Sequence, residues 1–472
     1  MLPLVVAVLM LVSTTCGENP AVQVVLNNKG LQYGKQVGVE WIKEKLKLVT
    51  LPEISGDIIG IYYKLSGISI TQFDFPEPSV EFYQDIAGFK TSASGLSFAL
   101  TGEWTTRLGI IHDGGSFDMT IYILDVTSAV EMGKDADGHL SVTSQHCDAR
   151  VGDVDIQFHG GASWIFQPFV EPFKGKIMGE IESSLCPNVE KSIASLESHL
   201  QAMNVSFEVG QDLTFDLPLT GAPVVDASSM NLGLKGEFYD IKSHMEPPFV
   251  SKPFTMPQQP ACMLSAGLSE FTLNSASYQL YSAGLLQVLI TDSMIPPSFP
   301  LHLNTSSMGP FIPQLPKLFP DLLMTLLVYA GEMPMFSFQP GVVKLDFQGA
   351  VKASAIQPNG TQTPLFKLNA DLQSSGKVWI DGDRLKGSMT MDNFTLTLAS
   401  SEVGTFQTGT LEQLTKTGLM LSFAKLNAKL GKGFVLPRMK QAELVNTVLA
   451  VEEGFIAIFS DAQVSLTDRG FN

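Results

Sequence analysis

The stretch from Phe169 to Met203, FVEPFKGKIMGEIESSLCPNVEKSIASLESHLQAM, decides the fold. Phe169, Phe173, Ile177, Ile181, Leu185, Val189, Ile193, Leu196, Leu200 and Met203 recur at intervals of four or three, the spacing that lines side chains along one face of an α-helix. At about 1.5 Å per residue this helix runs roughly 50 Å, longer than a compact domain is wide. The sheet that covers its apolar stripe must be elongated as well. Pro187, just past Cys186, is expected to kink it.

Upstream the period changes to two. Leu96, Phe98 and Leu100 alternate with polar or small residues, as do Phe117, Met119, Ile121 and Ile123, and Val154, Ile156 and Phe158. These are half-buried antiparallel strands. An earlier helix is expected over Leu31 to Leu48, with Trp41, Ile42 and Leu46 inward, Lys43, Glu44 and Lys47 solvated, and LPEI ending it. In EPPFVSKPFTMPQQP, residues 246–260, repeated prolines exclude a regular helix and favour an extended connector. Beyond it the plan returns in looser form. A proline-punctuated apolar segment near Met308 to Leu327 precedes strands around Val342 to Phe347 and Met389 to Leu398, then a helix within Leu411 to Leu430. In the second strand the apolar phase moves from odd positions (Met389, Met391) to even ones (Phe394, Leu396, Leu398), which requires a bulge near Asn393. The fold class is α+β, strands wrapped on a long helix, twice, with domains at 18–243 and 261–472 and a linker at 244–260.

The first residues, MLPLVVAVLMLVSTTCG, are too short an apolar run to span a bilayer and suit a signal peptide over 1–17, with Glu18 opening the mature chain. Secretion would expose four Asn-x-Ser/Thr sequons, at Asn204, Asn304, Asn359 and Asn393, to glycosylation. Three cysteines remain, Cys147, Cys186 and Cys262, most simply one pair and one thiol. Residues 18–242 carry 15 Lys and Arg against 30 Asp and Glu, and the rest 15 against 17, so the acidity lies almost wholly in the N-terminal half. That field disfavours nucleic acid, whose affinity comes mainly from Lys and Arg on phosphates.

The seven histidines form no HExxH, and no phosphate-binding loop, dinucleotide fingerprint or GxSxG elbow is present. Nothing specifies covalent catalysis, and a non-enzymatic role is expected. Gly114-Gly115 and Gly160-Gly161 read as turns. What stands out is an apolar excess, 44% of residues with Phe at 30 positions, in a chain expected to be soluble. A helix in a strongly curved sheet can leave an apolar groove for acyl chains, at about 0.8 kcal/mol per buried methylene; the alternative is a large dry core.

Four stretches carry a further reading: ENPAVQVVLNNKGLQYGKQVG (Glu18 to Gly38), GEFYDIKSHMEPPFVSKPFTMP (Gly236 to Pro257), GLSEFTLNSASYQLYSAGLLQVLITDSMIP (Gly267 to Pro296) and KGFVLPRMKQAEL (Lys432 to Leu444). They resemble the bactericidal/permeability-increasing protein and lipopolysaccharide-binding protein family, in one register over nearly the whole mature chain. The resemblance implies a boomerang of two elongated barrels, each a twisted antiparallel sheet around a long helix, joined by a central sheet and each holding an apolar phospholipid pocket. It implies a secreted protein, extracellular or stored in granules, that acts as a monomer in innate defence on lipopolysaccharide, phospholipids and the bacterial outer membrane surface. Bound phospholipid is expected and no other cofactor or metal. Cys147 and Cys186 fall where the family has its disulfide, leaving Cys262 as a thiol. Val37, Trp41, Phe169, Phe173 and Ile177 are the expected lipid contacts. The antibacterial members carry a basic cluster at the tip of the N-terminal barrel. Here GEWTTRLGIIHDGGSFDMT keeps only Arg107, with His112 nearby and Glu103 and Asp113 opposing, and Lys64 in YYKLSG is the other cation. A phospholipid carrier of the same fold is therefore the competing reading; an enzyme acting on lipids, the third, lacks a visible nucleophile and base.

Overall fold

The computed structural model describes residues 18–46, 51, 53–58, 60–161, 170–242, 244–295, 302–435 and 442–464. Strand β1 (Val22–Asn27) leads into helix α1 (Asn28–Leu46). There follow β2 (Ile54–Ile58), β3 (Ile61–Asp74), β4 (Ser79–Tyr83), β5 (Gly88–Leu108), β6 (Ile111–Lys134), β7 (Leu140–His159) and the long helix α2 (Val170–Gln201). These strands form one antiparallel sheet in the order β2-β3-β5-β6-β7, with β4 on β5. At 32 residues α2 is about 48 Å long, and β5 to β7, each of 20 residues or more, are long enough to run its full length and curl around it. The helix runs on through Pro187 as one element. The sheet is bent by bulges between Ser66 and Ser69, Ala93 and Leu96, and Ala129 and Val130. Within the curve Tyr63, Leu65, Trp104, Phe117, Phe158 and Ile177 of α2 make a core.

One expected strand phase is wrong. Phe117, Met119 and Ile121 are buried, but Ile123 is 59% exposed and Leu124 takes the inward place. Ile123 has φ +55° and, with Gly152, is skipped in the pairing between Tyr122↔Asp153 and Leu124↔Val151. That irregularity moves the phase by one residue, and strict alternation could not show it.

Short strands β8 (Ser206–Val209), β9 (Leu213–Asp216) and β12 (Glu237–Asp240) form a small sheet, while β10 (Val224–Val225) and β11 (Ser229–Leu234) pair beside β1. After the proline-rich segment come β13 (Leu264–Ser269), α3 (Glu270–Ser282), β14 (Gln287–Thr291), the short α4 (Leu315–Leu318), β15 (Met324–Ala330) and β16 (Met335–Gln339). The chain continues through β17 (Val342–Ile356), β18 (Gln362–Asp381), β19 (Arg384–Ser401), α5 (Gly409–Lys432), β20 (Phe434–Val435), β21 (Ala442–Glu452) and β22 (Phe455–Val464). The second large sheet runs β14-β15-β17-β18-β19-β20, with β16 on β17. The bulge anticipated near Asn393 is present: Asn393 faces Gln373 and Met391 faces Ser374, so Asp392 is the extra residue. Leu303, Ile312, Leu315, Leu365, Phe394 and Leu411 lie in its core.

A central sheet, β10-β11-β1-β13-β22-β21, draws strands from both halves and joins the barrels where β1 pairs with β13. The proline-rich segment lies against it without regular secondary structure. Asn19, Gln23 and Asn27, at intervals of four along one face, donate side-chain amide hydrogen bonds to the carbonyls of Ser251 (3.0 Å), Phe254 (2.8 Å) and Gln259 (3.1 Å). Strand β1 is paired on both sides, with β11 and β13, so its backbone donors are engaged and side-chain amides satisfy the carbonyls of the linker. Gly267 admits the close approach: a Cβ there would lie 2.4 Å from Met256 Sδ and 2.6 Å from the Phe254 ring.

Candidate lipid-binding site

Each long helix is fastened to its sheet through backbone groups of a strand beside it. In the N-terminal barrel the N–H of Val151 donates to Glu182 Oε1 at 2.8 Å and that of Val142 to Glu197 Oε2 at 2.5 Å, and Cys147 of β7 is bonded to Cys186 of α2. Strand β7 is the sheet edge, where outward N–H groups would otherwise be unpaired. In the C-terminal barrel the N–H of Leu396 donates to Glu412 Oε2 at 3.0 Å. Asn427 both accepts from Met389 N–H (2.7 Å) and donates to its carbonyl (2.8 Å). Cys262, half-buried, is a free thiol.

Held this way, the helices leave apolar side chains that the protein does not cover. On α2, Ile177 is fully buried, Ile181 and Leu185 pack on the same core, and Ile193 and Leu200 join Leu31 of α1 on Phe82, Met132 and Val142. Leu196 is nevertheless 51% exposed, and Met203, just past the helix end, 60%. On α5, Leu411 is buried while Met420 and Leu421 are more than half exposed. On α1, Val37 is half-buried and Trp41 and Ile42 are exposed, against the expectation that these two point into the core. The reason is placement: α1 packs on β1, β4 and β22, and Leu31 in its first turn is the residue that joins a core cluster.

The expected lipid contacts are thus divided. Val37 and Trp41 lie together on α1, one helical turn apart. Ile177 instead packs into the core with Tyr63 and Trp104, so it does not line an open apolar face. Phe169 lies outside the described residues, as does the side chain of Phe173, and residues 1–17 with the expected signal peptide lie outside them too. Of the sequons, Asn204, Asn359 and Asn393 are exposed and Asn304 is half-buried.

At the far end of the N-terminal sheet, β3 and β5 place Tyr62 opposite Arg107, and Lys64 two residues away. Lys64 Nζ is 2.7 Å from Glu53 Oε2, and this contact raises the lysine pKa. Arg107 is exposed and faces His112 across the next hairpin. The two cations do share one tip, but one is engaged by a carboxylate.

Sequence reasoning missed a charged cluster beside the small sheet. Lys235 Nζ lies 3.4 Å from Glu237 Oε2 and 3.7 Å from both Glu18 Oε1 and Glu246 Oε1, and it contacts the Tyr239 hydroxyl. Burial pushes the Glu237 carboxyl up and the Tyr239 hydroxyl up to about 12. Burial opposes the charge on Lys235, yet Tyr239 and Glu237 outweigh it and raise its pKa. No local motif marks these residues; the fold gathers them from the first described residue, β12 and the linker. At the β6–β7 turn Asp135, Asp137 and His139 also converge. There Asp135 Oδ1 accepts the backbone N–H groups of Asp137 and His139, and Oδ2 meets the His139 ring, so the group is a closed turn.

Among the described residues no helix is long and apolar enough to cross a membrane. Residues 30–203 match the model of the LBP / BPI / CETP family N-terminal domain, and residues 208–464 that of its C-terminal domain. The chain is 37% identical over 464 residues to a bactericidal permeability-increasing protein of Sebastes schlegelii, covering 97% of this chain and 98% of that one. It is 26% identical to the human lipopolysaccharide-binding protein, with 98% of each covered. The crystal structure of a lipopolysaccharide binding protein superposes with a TM-score of 0.58 at 24% identity, over 94% of this chain and 99% of the other. The boomerang of two curled antiparallel sheets on a central sheet is therefore shared, and the chain belongs to the LBP / BPI / CETP family.

Proposed function

We propose that this chain is a secreted lipid-binding protein of innate defence that takes lipopolysaccharide of Gram-negative bacteria and holds phospholipid acyl chains along the helix faces of its barrels. The observation that carries this reading is the uncovered apolar surface on all three long helices, at Trp41 and Ile42, at Leu196, and at Met420 and Leu421. Exposed apolar area costs about 25 cal/mol per Å², so a ligand that covers it is stabilising. The names of the relatives support lipopolysaccharide as one ligand. The chain works as a monomer, needs no metal or other cofactor, and acts by binding and not by catalysis.

A phospholipid carrier without bactericidal activity is the second reading, and a specific observation favours it. The N-terminal half is acidic, and Lys64, one of two tip cations, is engaged by Glu53. An exposed cation near a charged surface contributes about 1 kcal/mol at most, weakened by salt within roughly 8 Å. Binding of lipopolysaccharide and of neutral phosphatidylcholine, each measured against salt, separates the two. Lipopolysaccharide bound with little salt dependence supports the first reading; phosphatidylcholine bound and lipopolysaccharide refused supports the carrier.

A further inference from the structure

The Lys235 cluster holds more carboxylate than its one lysine answers. Lys235 contributes one positive charge against Glu18, Glu237 and Glu246, and Asp216 of β9 stands directly opposite Glu237 of β12, so the balance is one against four, or −3. The pair at its centre is enclosed: Glu237 is 3% exposed, and its Oε1 and Asp216 Oδ1 are buried with no hydrogen-bond partner. A charged oxygen left bare in the interior is costly, so such an atom marks a place for a donor. Around the pair the titratable groups are Lys235, Glu18, Glu246, Tyr239 and, with its ring 6.5 Å from that of Tyr239, His244. A metal ion fits poorly. Among the described residues no three carboxylate, imidazole or thiol groups converge here, and Lys235 already stands among the acids.

The chain has a donor within reach. Glu18 opens the mature chain under the expected cleavage after Gly17, and its own carboxylate is already in the cluster, with Oε1 3.7 Å from Lys235 Nζ. The residues behind it are fixed, Asn19 donating to the Ser251 carbonyl at 3.0 Å and Ser251 Oγ to the Pro20 carbonyl at 3.3 Å. Five bonds of about 1.5 Å separate the Glu18 nitrogen from that carboxylate oxygen, so the nitrogen lies within about 6 Å of it.

We propose that removal of the signal peptide completes this cluster: the new α-ammonium of Glu18 turns in as its second cation, onto the open carboxylate oxygens of Glu237 and Asp216. Hydrolysis of the Gly17–Glu18 amide by a secretory protease takes up one water, leaves the carboxylate on Gly17 and gives Glu18 an amine that holds its proton at neutral pH. That ammonium brings three N–H donors and changes the balance from −3 to −2. Before cleavage the same nitrogen is an uncharged amide with one N–H. Strand β12 is in turn held by α3 of the C-terminal half, where Thr272 Oγ1 donates to the Gly236 carbonyl at 2.8 Å and Gln279 Nε2 to that of Phe238 at 3.2 Å. The terminus, β12 and, through Glu246, the proline-rich segment are thus tied at one point, and the tie is complete only in the processed chain.

The tie rests on secretion with cleavage before Glu18, which the intact mass of the full chain secreted from eukaryotic cells reads as a separate step. Trace acylation of the α-amine across pH, followed by mass on the N-terminal peptide, then gives its pKa in the folded protein. Nearby carboxylates favour the charged form, so the amine is expected to hold its proton at least tenfold more tightly than the ordinary value of about 8 implies. A variant whose mature chain carries Gly-Ser ahead of Glu18 displaces the amine and is expected to titrate at the ordinary value. Glu237→Gln is expected to do the same, and the Gly-Ser variant keeps the test open if that substitution prevents folding. An ordinary value in the native chain, a value in either folded variant equal to the native one, a terminus cyclised to pyroglutamate, or a mature chain that starts elsewhere than Glu18 would each overturn the proposal.

Discussion

In the N-terminal barrel α2 meets the edge strand β7 through two carboxylates and a disulfide, whereas in the C-terminal barrel α5 meets β19 through one carboxylate and one amide, with no disulfide among the described residues. Both barrels solve the same problem, a long helix lying across outward N–H groups that burial would leave unpaired. Only the N-terminal one adds a covalent tie. The halves also differ in charge, since residues 18–242 have twice as many acidic as basic residues and the remainder is nearly balanced. Self-repulsion is therefore concentrated where the disulfide is. The difference teaches that polar contacts suffice to seat such a helix, and that the covalent tie is an addition made in the more strongly charged half.

The largest expected effect breaks that tie. Cys147 and Cys186 lie 39 residues apart, and in the chain-entropy model their bond is worth about 4 kcal/mol. Replacing both by serine is expected to lower hydrogen-exchange protection in β6, β7 and α2 and to leave β17 to β19 unchanged. Equal loss in both barrels would show that the two halves unfold as one unit.

A smaller effect is expected from Asn427→Ala. It removes two hydrogen bonds to Met389 and leaves a strand N–H unpaired, at a cost of about 1–3 kcal/mol to the C-terminal barrel. Chemical denaturation followed at α5 checks it. An unchanged midpoint would mean that water replaces the amide.

Glu412 sharpens the comparison by pH. Contacts with Lys416 and the Leu396 N–H hold its carboxyl below its ordinary value of 4.5. A depressed carboxylate contributes stability that is present at neutral pH and lost as pH falls through the folded value. The acid limb of C-terminal barrel unfolding is therefore expected to be shallower in Glu412→Gln than in the native protein, the variant being less stable at neutral and alkaline pH and the two converging at low pH.

The smallest effect lies at the tip. Lys64→Ala combined with Arg107→Ala is expected to weaken lipopolysaccharide binding less than tenfold, because two exposed cations supply about 2 kcal/mol before neighbouring carboxylates offset part of it. Loss of all binding would mean that charge leads.

Much of this was legible in the sequence because it rests on period. The stripe from Ile177 to Leu200 placed α2, and the odd-to-even shift placed near Asn393 the bulge whose extra residue is Asp392. Period fails where register slips, as at Ile123, and where a helix lies partly outside its core, as with Trp41 and Ile42. It is also silent on which member of a stripe meets protein, so Ile177 went to the core while Leu196 stayed bare. The Lys235 cluster was invisible because its members come from residues 18, 235 to 239 and 246 and converge only in three dimensions. The tip was read for its cations alone; the bare Ile110 beside Arg107 emerges from exposure, which no alternation rule assigns to a turn.

Acyl chains held on the uncovered helix faces would be carried through purification. The direct measurement is solvent extraction and mass spectrometry of the protein purified from a eukaryotic host, with native mass spectrometry for stoichiometry. About one phospholipid for each barrel is expected, and less of it in a variant carrying Trp41→Asp and Leu196→Asp. A fully folded protein that yields no lipid at any stoichiometry would contradict it.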